Sequence, residues 1–336
     1  LDCQDTAPYR PTYGIWPWLV EEPLKQMAPP DFNWADFCGA ALAVILTESS
    51  AKLPAARIER ARAALGHAGW SIFRRNVQPG YTNIAIMGAC VASAAGELLG
   101  EPRLLAYGRD RLAAFLAYTD HHGGLNEYNS PTYTLVALHE CERILQLVRD
   151  PAVRDLAERL RRFVWTTLAE HFHPATGQLA GPHSRAYADL LPPATAAEIA
   201  HATGQTIFGA GTGDDSPSVV AHLPCPEELR PRFAQLPEET EIRSRFIRRE
   251  PAAHSTVGTT WLAPAACLGS VNADCLWIQR RPLLGYVRTP AGVAVLKVEF
   301  RRDGKPCAAA EIRTAQTRNR TLSAFQLATK DRKSVV

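Results

Sequence analysis

The sequence predicts a mainly α chain that then turns β: an α/α toroid of helical hairpins, incomplete in number, followed by an antiparallel β-sandwich fragment. Three observations carry this. Helical runs alternate between apolar ones rich in Ala, Gly, Ile and Cys (34–46, 82–99) and amphipathic ones with Arg/Glu faces (54–75, 102–117, 151–172). An apolar face all round marks a helix buried on every side, whereas a single stripe marks one with a wet face. The apolar helices start about fifty residues apart, the repeat of stacked hairpins. From about Ser244 onward, short runs rich in Val, Ile, Thr and Leu are separated by turn signals such as Arg302-Asp303-Gly304-Lys305, the pattern of an antiparallel sheet.

Taken in order, the segment before Pro30 is rich in Pro and aromatics and reads as an ordered loop. Helices follow over 34–46, 54–75, 82–99 and 102–117, several with Pro in the first turn, where its missing N–H costs nothing. The run 131–148 belongs with the inner class, though Glu140, Glu142 and Arg143 make it more polar. After 151–172, shorter helices are expected over 194–202 and 226–236. Strands are expected over 256–262, 274–278, 283–288, 293–300 and 308–312. The expected domains are 1–205, helical with its Pro/Trp-rich loop, and 206–330, the β region. Gly209–Asp215 reads as a connection, because it lacks the Lys-Ser/Thr of a phosphate loop.

The chain of 336 residues is 46% hydrophobic and 21% charged, with a net charge of +3. That charge is too small to argue for nucleic acid, and no apolar run is read as a membrane span. The eight cysteines include no C-x-x-C pair. Cys38, Cys90 and Cys141 sit in apolar helical runs as small hydrophobes, which argues against both disulfides and a zinc site. No metal centre and no organic cofactor are expected. His139-Glu140-Cys141-Glu142-Arg143 begins like a zincin motif but lacks its second His. Both ends read as cut. The start at Leu1 leaves room for a leader, which would make the protein periplasmic or secreted. Residues 331–336 read as the translation of an adapter oligonucleotide.

The densest chemistry lies in Asn126-Glu127-Tyr128-Asn129-Ser130-Pro131-Thr132-Tyr133 and in Gly181-Pro182-His183-Ser184-Arg185-Ala186-Tyr187. Polar side chains so concentrated are costly to bury without partners. They point to a pocket for a hydroxyl-rich anionic ligand. The inner helices carry amides at their starts: Asn33, Asn83 beside Tyr81, and Asn129 beside Tyr128. Parallel inner helices would set these on one rim, where helix N-termini favour an anion. Each is also an ordinary cap or turn residue.

With Tyr81-Thr82-Asn83, the two clusters above, and Trp261 to Gln279-Arg280-Arg281-Pro282-Leu283, the chain resembles the α/α toroid polysaccharide lyases of heparinase II/III-like or alginate lyase-like architecture. That resemblance implies cleavage of an acidic, uronate-containing polysaccharide or oligosaccharide by β-elimination. Such chemistry needs groups that hold the carboxylate as enolate character develops, here Asn129, Asn83 and Arg185. It also needs a base, His183, and an acid, Tyr187 or Tyr133. Glu127, Tyr128, Tyr81 and Trp34 would line the substrate.

Two alternatives stay open. A glycoside hydrolase would pair Glu127 with a second carboxylate, Asp120 or Asp36. A glycan-binding or scaffold protein would use Trp16, Trp18, Trp34 and Trp70 as stacking platforms. Structural roles are equally available: His183 tying a loop to a carbonyl, Arg185 ion-paired with Glu127 or Asp189, Tyr133 in the core.

Overall fold

A computed structural model describes residues 1–211, 222–236 and 238–327. Part of the glycine-rich connection (212–215) and the segment 331–336 lie outside the described residues. The chain is mainly helical and then antiparallel β. Its helices are α1 (Trp34–Glu48), α2 (Ala55–Arg75), α3 (Thr82–Leu99), α4 (Pro102–His122), α5 (Tyr133–Leu147), α6 (Pro151–His171), α7 (Pro193–Thr203) and α8 (Pro231–Ala234). It forms two compact units that interleave along the chain. Among the described residues, unit one holds Leu1–Tyr118 and His139–Arg161, and unit two holds Thr119–Leu138 and the described residues from Arg162 onward.

In unit one, small residues let the helices approach closely. A Cβ at Gly39 of α1 would lie 2.7 Å from Val91 of α3, and one at Gly108 of α4 would lie 2.2 Å from Ser93 Oγ of α3. α3 is thereby buried along most of its length. By length and composition α3 is also apolar enough to cross a membrane, contrary to the sequence reading, but 78% of it is buried inside the protein. It is the core helix of this unit. Gly100 ends it in a left-handed conformation, with Glu101 N donating to Gly96 O at 2.9 Å, the usual helix stop. The Glu97 carboxylate accepts from the backbone N–H groups of Arg149 and Asp150, and Asp150 Oδ1 accepts from Val153 N at 3.0 Å, capping α6.

Unit two contains a small hairpin, β1 (Phe172–His173) with β2 (Gln178–Leu179), and two larger antiparallel sheets. The first joins β3 (Thr240–Ile247), β4 (Thr256–Ala263), β5 (Ala266–Val271), β7 (Leu283–Thr289) and β8 (Gly292–Lys297) in that order. The second sets β11 (Ala310–Thr317) between β6 (Ala273–Cys275) and β12 (Arg320–Leu327), and a short hairpin pairs β9 (Arg301–Arg302) with β10 (Lys305–Pro306). Leu262, Cys267, Leu284 and Tyr286 form the first sheet's core, and Leu276, Ala310 and Ile312 that of the second. Ser270 Oγ to Gln316 Oε1 (2.6 Å) and Gln316 Nε2 to Leu268 O (2.9 Å) tie the sheets together.

The Gly181–Pro182 segment lies directly on the first sheet. A Cβ at Gly269 of β5 would stand 1.7 Å from Gly181 O, Thr260 Oγ1 of β4 donates to that same oxygen at 2.7 Å, and His183 bridges Arg281. The sheet therefore fixes the backbone of the second polar cluster.

Candidate functional site

In unit two the segments 127–133 and 180–187 are joined side by side. Asn129 takes a left-handed backbone (φ 42°), and its Nδ2 donates to Ala180 O at 2.8 Å and Pro182 O at 2.9 Å. His183 Nδ1 donates to Asn129 O at 2.6 Å, and Ser184 Oγ to Tyr128 O at 2.8 Å. Ser130 Oγ accepts from Tyr133 N at 3.0 Å and donates to Arg185 O at 2.7 Å, so one hydroxyl caps α5 and holds the second strand of the site.

This bonding reassigns three residues the sequence singled out. Asn129 is 3% exposed and spends its amide on two backbone carbonyls, so it clips the two segments together. His183 is 2% exposed, and burial pushes its pKa down to about 4 against the Asn129 and Leu179 backbone bonds that oppose the fall. Burial leaves the ring a weak base out of reach of a bound substrate, and its Nδ1 is spent on Asn129 O, so His183 acts as a tie between loops. Tyr128 stacks on Phe246 with ring centroids 4.3 Å apart and donates to Asp274 Oδ2 at 2.9 Å, which makes it core.

What faces outward is a guanidinium among phenols. Arg185 Nη2 donates to Tyr187 Oη at 3.1 Å and to Tyr133 Oη at 3.4 Å, and the two phenol oxygens stand 2.8 Å apart. Its guanidinium also lies over Tyr133 (5.0 Å to the ring centroid) and over Trp277 (5.1 Å), an arrangement in which ring quadrupoles hold a cation. Glu127 Oε1 accepts from Arg185 Nη1 at 3.5 Å. Burial raises the Glu127 pKa and Arg185 partly offsets that. Tyr133 is raised as well, by burial first and then by its bond to Tyr187, which keeps it a proton donor. Tyr187 is 57% exposed. Glu127 Oε2 and Arg185 Nε are buried without a hydrogen-bond partner, as expected beside a polar ligand site.

Residues 1–205 of the 336 match the family model described as Domain of unknown function (DUF8769). The chain belongs to the DUF8769 family. No curated protein and no solved structure matches it.

The remaining residues of interest in this DUF8769 member lie in unit one. Asn33 Nδ2 donates to Tyr81 Oη at 3.1 Å, which brings the starts of α1 and α3 together, while Asn129, the third amide the sequence set on that rim, belongs to unit two. Arg75 donates to Asn33 Oδ1 at 2.7 Å and lies 3.7 Å from Asp36. Asp36 is 1% exposed, and burial raises its pKa to about 7 against the pull of Arg111 and then Arg75. Asn83 Oδ1 is buried without a partner. Trp34 packs edge-on against Phe37, and Trp16 is buried. Sequence reasoning missed Trp277. Its signal was faint, an aromatic two residues before Gln279-Arg280-Arg281.

Proposed function

We propose that this protein is a carbohydrate-active enzyme that cleaves an acidic, uronate-containing polysaccharide by β-elimination at the Tyr133–Tyr187–Arg185 cluster. The observation that carries the reading is the phenol pair, 2.8 Å apart, with one guanidinium donating to both oxygens. Elimination needs a base, an acid and a positive charge in one place. Tyr187, exposed and beside Arg185, takes the proton next to the carboxylate as a phenolate. The electrons of that C–H bond form the new double bond, and the glycosidic C–O bond breaks. The leaving oxygen takes the proton of Tyr133, whose raised pKa keeps it protonated. A proton then passes from Tyr187 to Tyr133 across their hydrogen bond, which restores the starting state. Arg185 offsets both the phenolate and the substrate carboxylate.

This assignment moves the base from His183 to Tyr187 and leaves Asn129 a positioning residue. A hydrolase has less support. Asp274 is engaged by Tyr128 and Arg280, Asp189 by Arg281 and Lys297, and Asp120 is exposed at the end of α4. Asp274 and Asp189 are thus committed elsewhere, and Glu127 itself is ion-paired with Arg185.

The test is a screen of uronate polysaccharides, following ultraviolet absorbance of unsaturated ends and release of reducing ends in parallel. Both signals together are expected. Reducing ends without absorbance would replace the elimination with hydrolysis, and neither signal on any uronate polymer would remove the enzymatic reading.

A further inference from the structure

A second feature of unit one, separate from the phenol cluster, is an open cavity of about 520 Å³ between the end of α2 and the middle of α4, lined by Phe73, Asn76, Arg103, Tyr107, Asp110 and Arg111. That volume lies in the range of pockets for small organic ligands. Three observations define what would fit it.

The first is charge. Arg111 is 7% exposed and spends Nε on Ala85 O (3.0 Å) and Nη1 on Tyr107 Oη (2.8 Å), while its Nη2 is buried with no acceptor. A buried guanidinium donor without a partner is uncommon in folded proteins and marks a place where an acceptor belongs. Asp36 interacts with Arg111 and Arg75, with Glu140 opposing. On the cavity wall itself two guanidiniums, Arg103 and Arg111, stand with one carboxylate, Asp110. Asp110, at the cavity edge, is paired outward with Arg109 at 3.4 Å.

The second is shape. Trp70, Phe73 and Tyr107 form an aromatic series: Trp70 meets Phe73 edge-on at 5.3 Å, and Phe73 meets Tyr107 at 4.9 Å. Arg103 lies over this series, 5.1 Å from the Trp70 centroid and 6.0 Å from that of Phe73. Stacking holds a long exposed side chain in place and reduces the entropy it would lose on meeting an anion.

The third is a supply of uncharged hydrogen-bonding groups. Asn76 Oδ1 accepts from Tyr107 Oη at 3.2 Å, which sets an amide and a phenol on the same wall. Aromatic faces with amide, phenol and carboxylate groups suit a polyhydroxylated ring, and a guanidinium fork suits a carboxylate.

We infer that this cavity binds a sugar acid, its carboxylate between Arg111 and Arg103 and its ring against Phe73 and Tyr107. The inference does not depend on elimination at the phenol cluster, because it is tested by binding rather than turnover. The experiment is calorimetric titration of the full chain with D-glucuronate, D-glucose and inorganic phosphate, repeated on Arg103→Ala, Arg111→Lys and Tyr187→Phe. Glucuronate is expected to bind about tenfold or more tightly than glucose, because only it supplies the acceptor for a charged donor. Arg103→Ala and Arg111→Lys should each weaken glucuronate by about tenfold or more, while Tyr187→Phe leaves this binding in place. Arg103 is exposed, so its variant remains informative even if the buried Arg111 variant fails to fold. Equal affinity for glucose and glucuronate, tighter binding of phosphate than of glucuronate, or undiminished binding by Arg103→Ala would each overturn the assignment.

Discussion

The position of Asn129 offers a direct way to separate a clip from a catalyst. Replacing it with Ala removes the donors to Ala180 O and Pro182 O, bonds of 2.8 and 2.9 Å at a site 3% exposed. A buried carbonyl left without its donor costs about 1–3 kcal/mol. The left-handed backbone at φ 42° adds about 1 kcal/mol of strain for a residue with a Cβ and no local hydrogen bond to compensate. With two such carbonyls and the strain, Asn129→Ala should therefore lose about 3–7 kcal/mol. Asn129→Gly, free of that strain, should lose about 1 kcal/mol less than the Ala variant. Urea unfolding of the three proteins, followed by far-ultraviolet circular dichroism, reads the order wild type, Gly, Ala. Unfolding of Asn129→Ala at the wild-type midpoint, with turnover lost, would refute the reasoning and return the amide to the substrate.

Other predictions follow from the same structure. His183 has its pKa pushed down to about 4 from 6.5 by burial, so the unfolded chain takes up a proton in that window that the native chain refuses. Its stabilisation is full above pH 6.5 and lost as pH falls. Between pH 6.5 and 5 the loss should be on the order of 2 kcal/mol. His183→Gln should lack that portion of the slope in urea midpoints, and identical slopes would contradict the burial. For Asp36, raised to about 7 mainly by burial, a carboxyl carbon titration by nuclear magnetic resonance should show a midpoint near neutrality. A midpoint in the ordinary carboxylate range would contradict the buried setting. A Cβ at Gly269 meets the Gly181 backbone at 1.7 Å, and backbone atoms cannot step aside as a side-chain tip can. Gly269→Ala should cost about 3 kcal/mol or more in thermal or urea unfolding, and a neutral effect would show that the loop does not rest on β5.

Much of the helical half was legible because its signals are local. α3 matches its sequence-predicted bounds, since an apolar run flanked by Thr82 and Gly100 fixes both ends. The β half was harder. β5, with Gly269 in its middle, gives no alternation to read, because both its faces are covered. At the site, the two polar clusters do come together, and Arg185 pairs with Glu127 at 3.5 Å as the structural alternative held. Asp189, the other partner considered, goes instead to Arg281 and Lys297. What the sequence could not reveal was which polar atoms face one another. His183 and Arg185 look equivalent as neighbours in a motif. Two residues apart in extended backbone would share a face, but His183 is buried against Asn129 O while Arg185 sits among Tyr133, Tyr187 and Trp277, a difference set by tertiary contacts rather than by spacing. Trp277 arrives from the β region, a contact across 92 residues of chain that no local pattern encodes.

The central claim is that Tyr187 carries the proton-abstracting oxygen. The measurement closest to it is the rate of unsaturated-product absorbance on a uronate polysaccharide, wild type beside Tyr187→Phe. The ring of the variant stays and only the hydroxyl leaves. A drop of about 10²–10⁴-fold is expected for loss of a general base, with folding unchanged because Tyr187 is 57% exposed. Turnover by Tyr187→Phe at the wild-type rate would contradict the account.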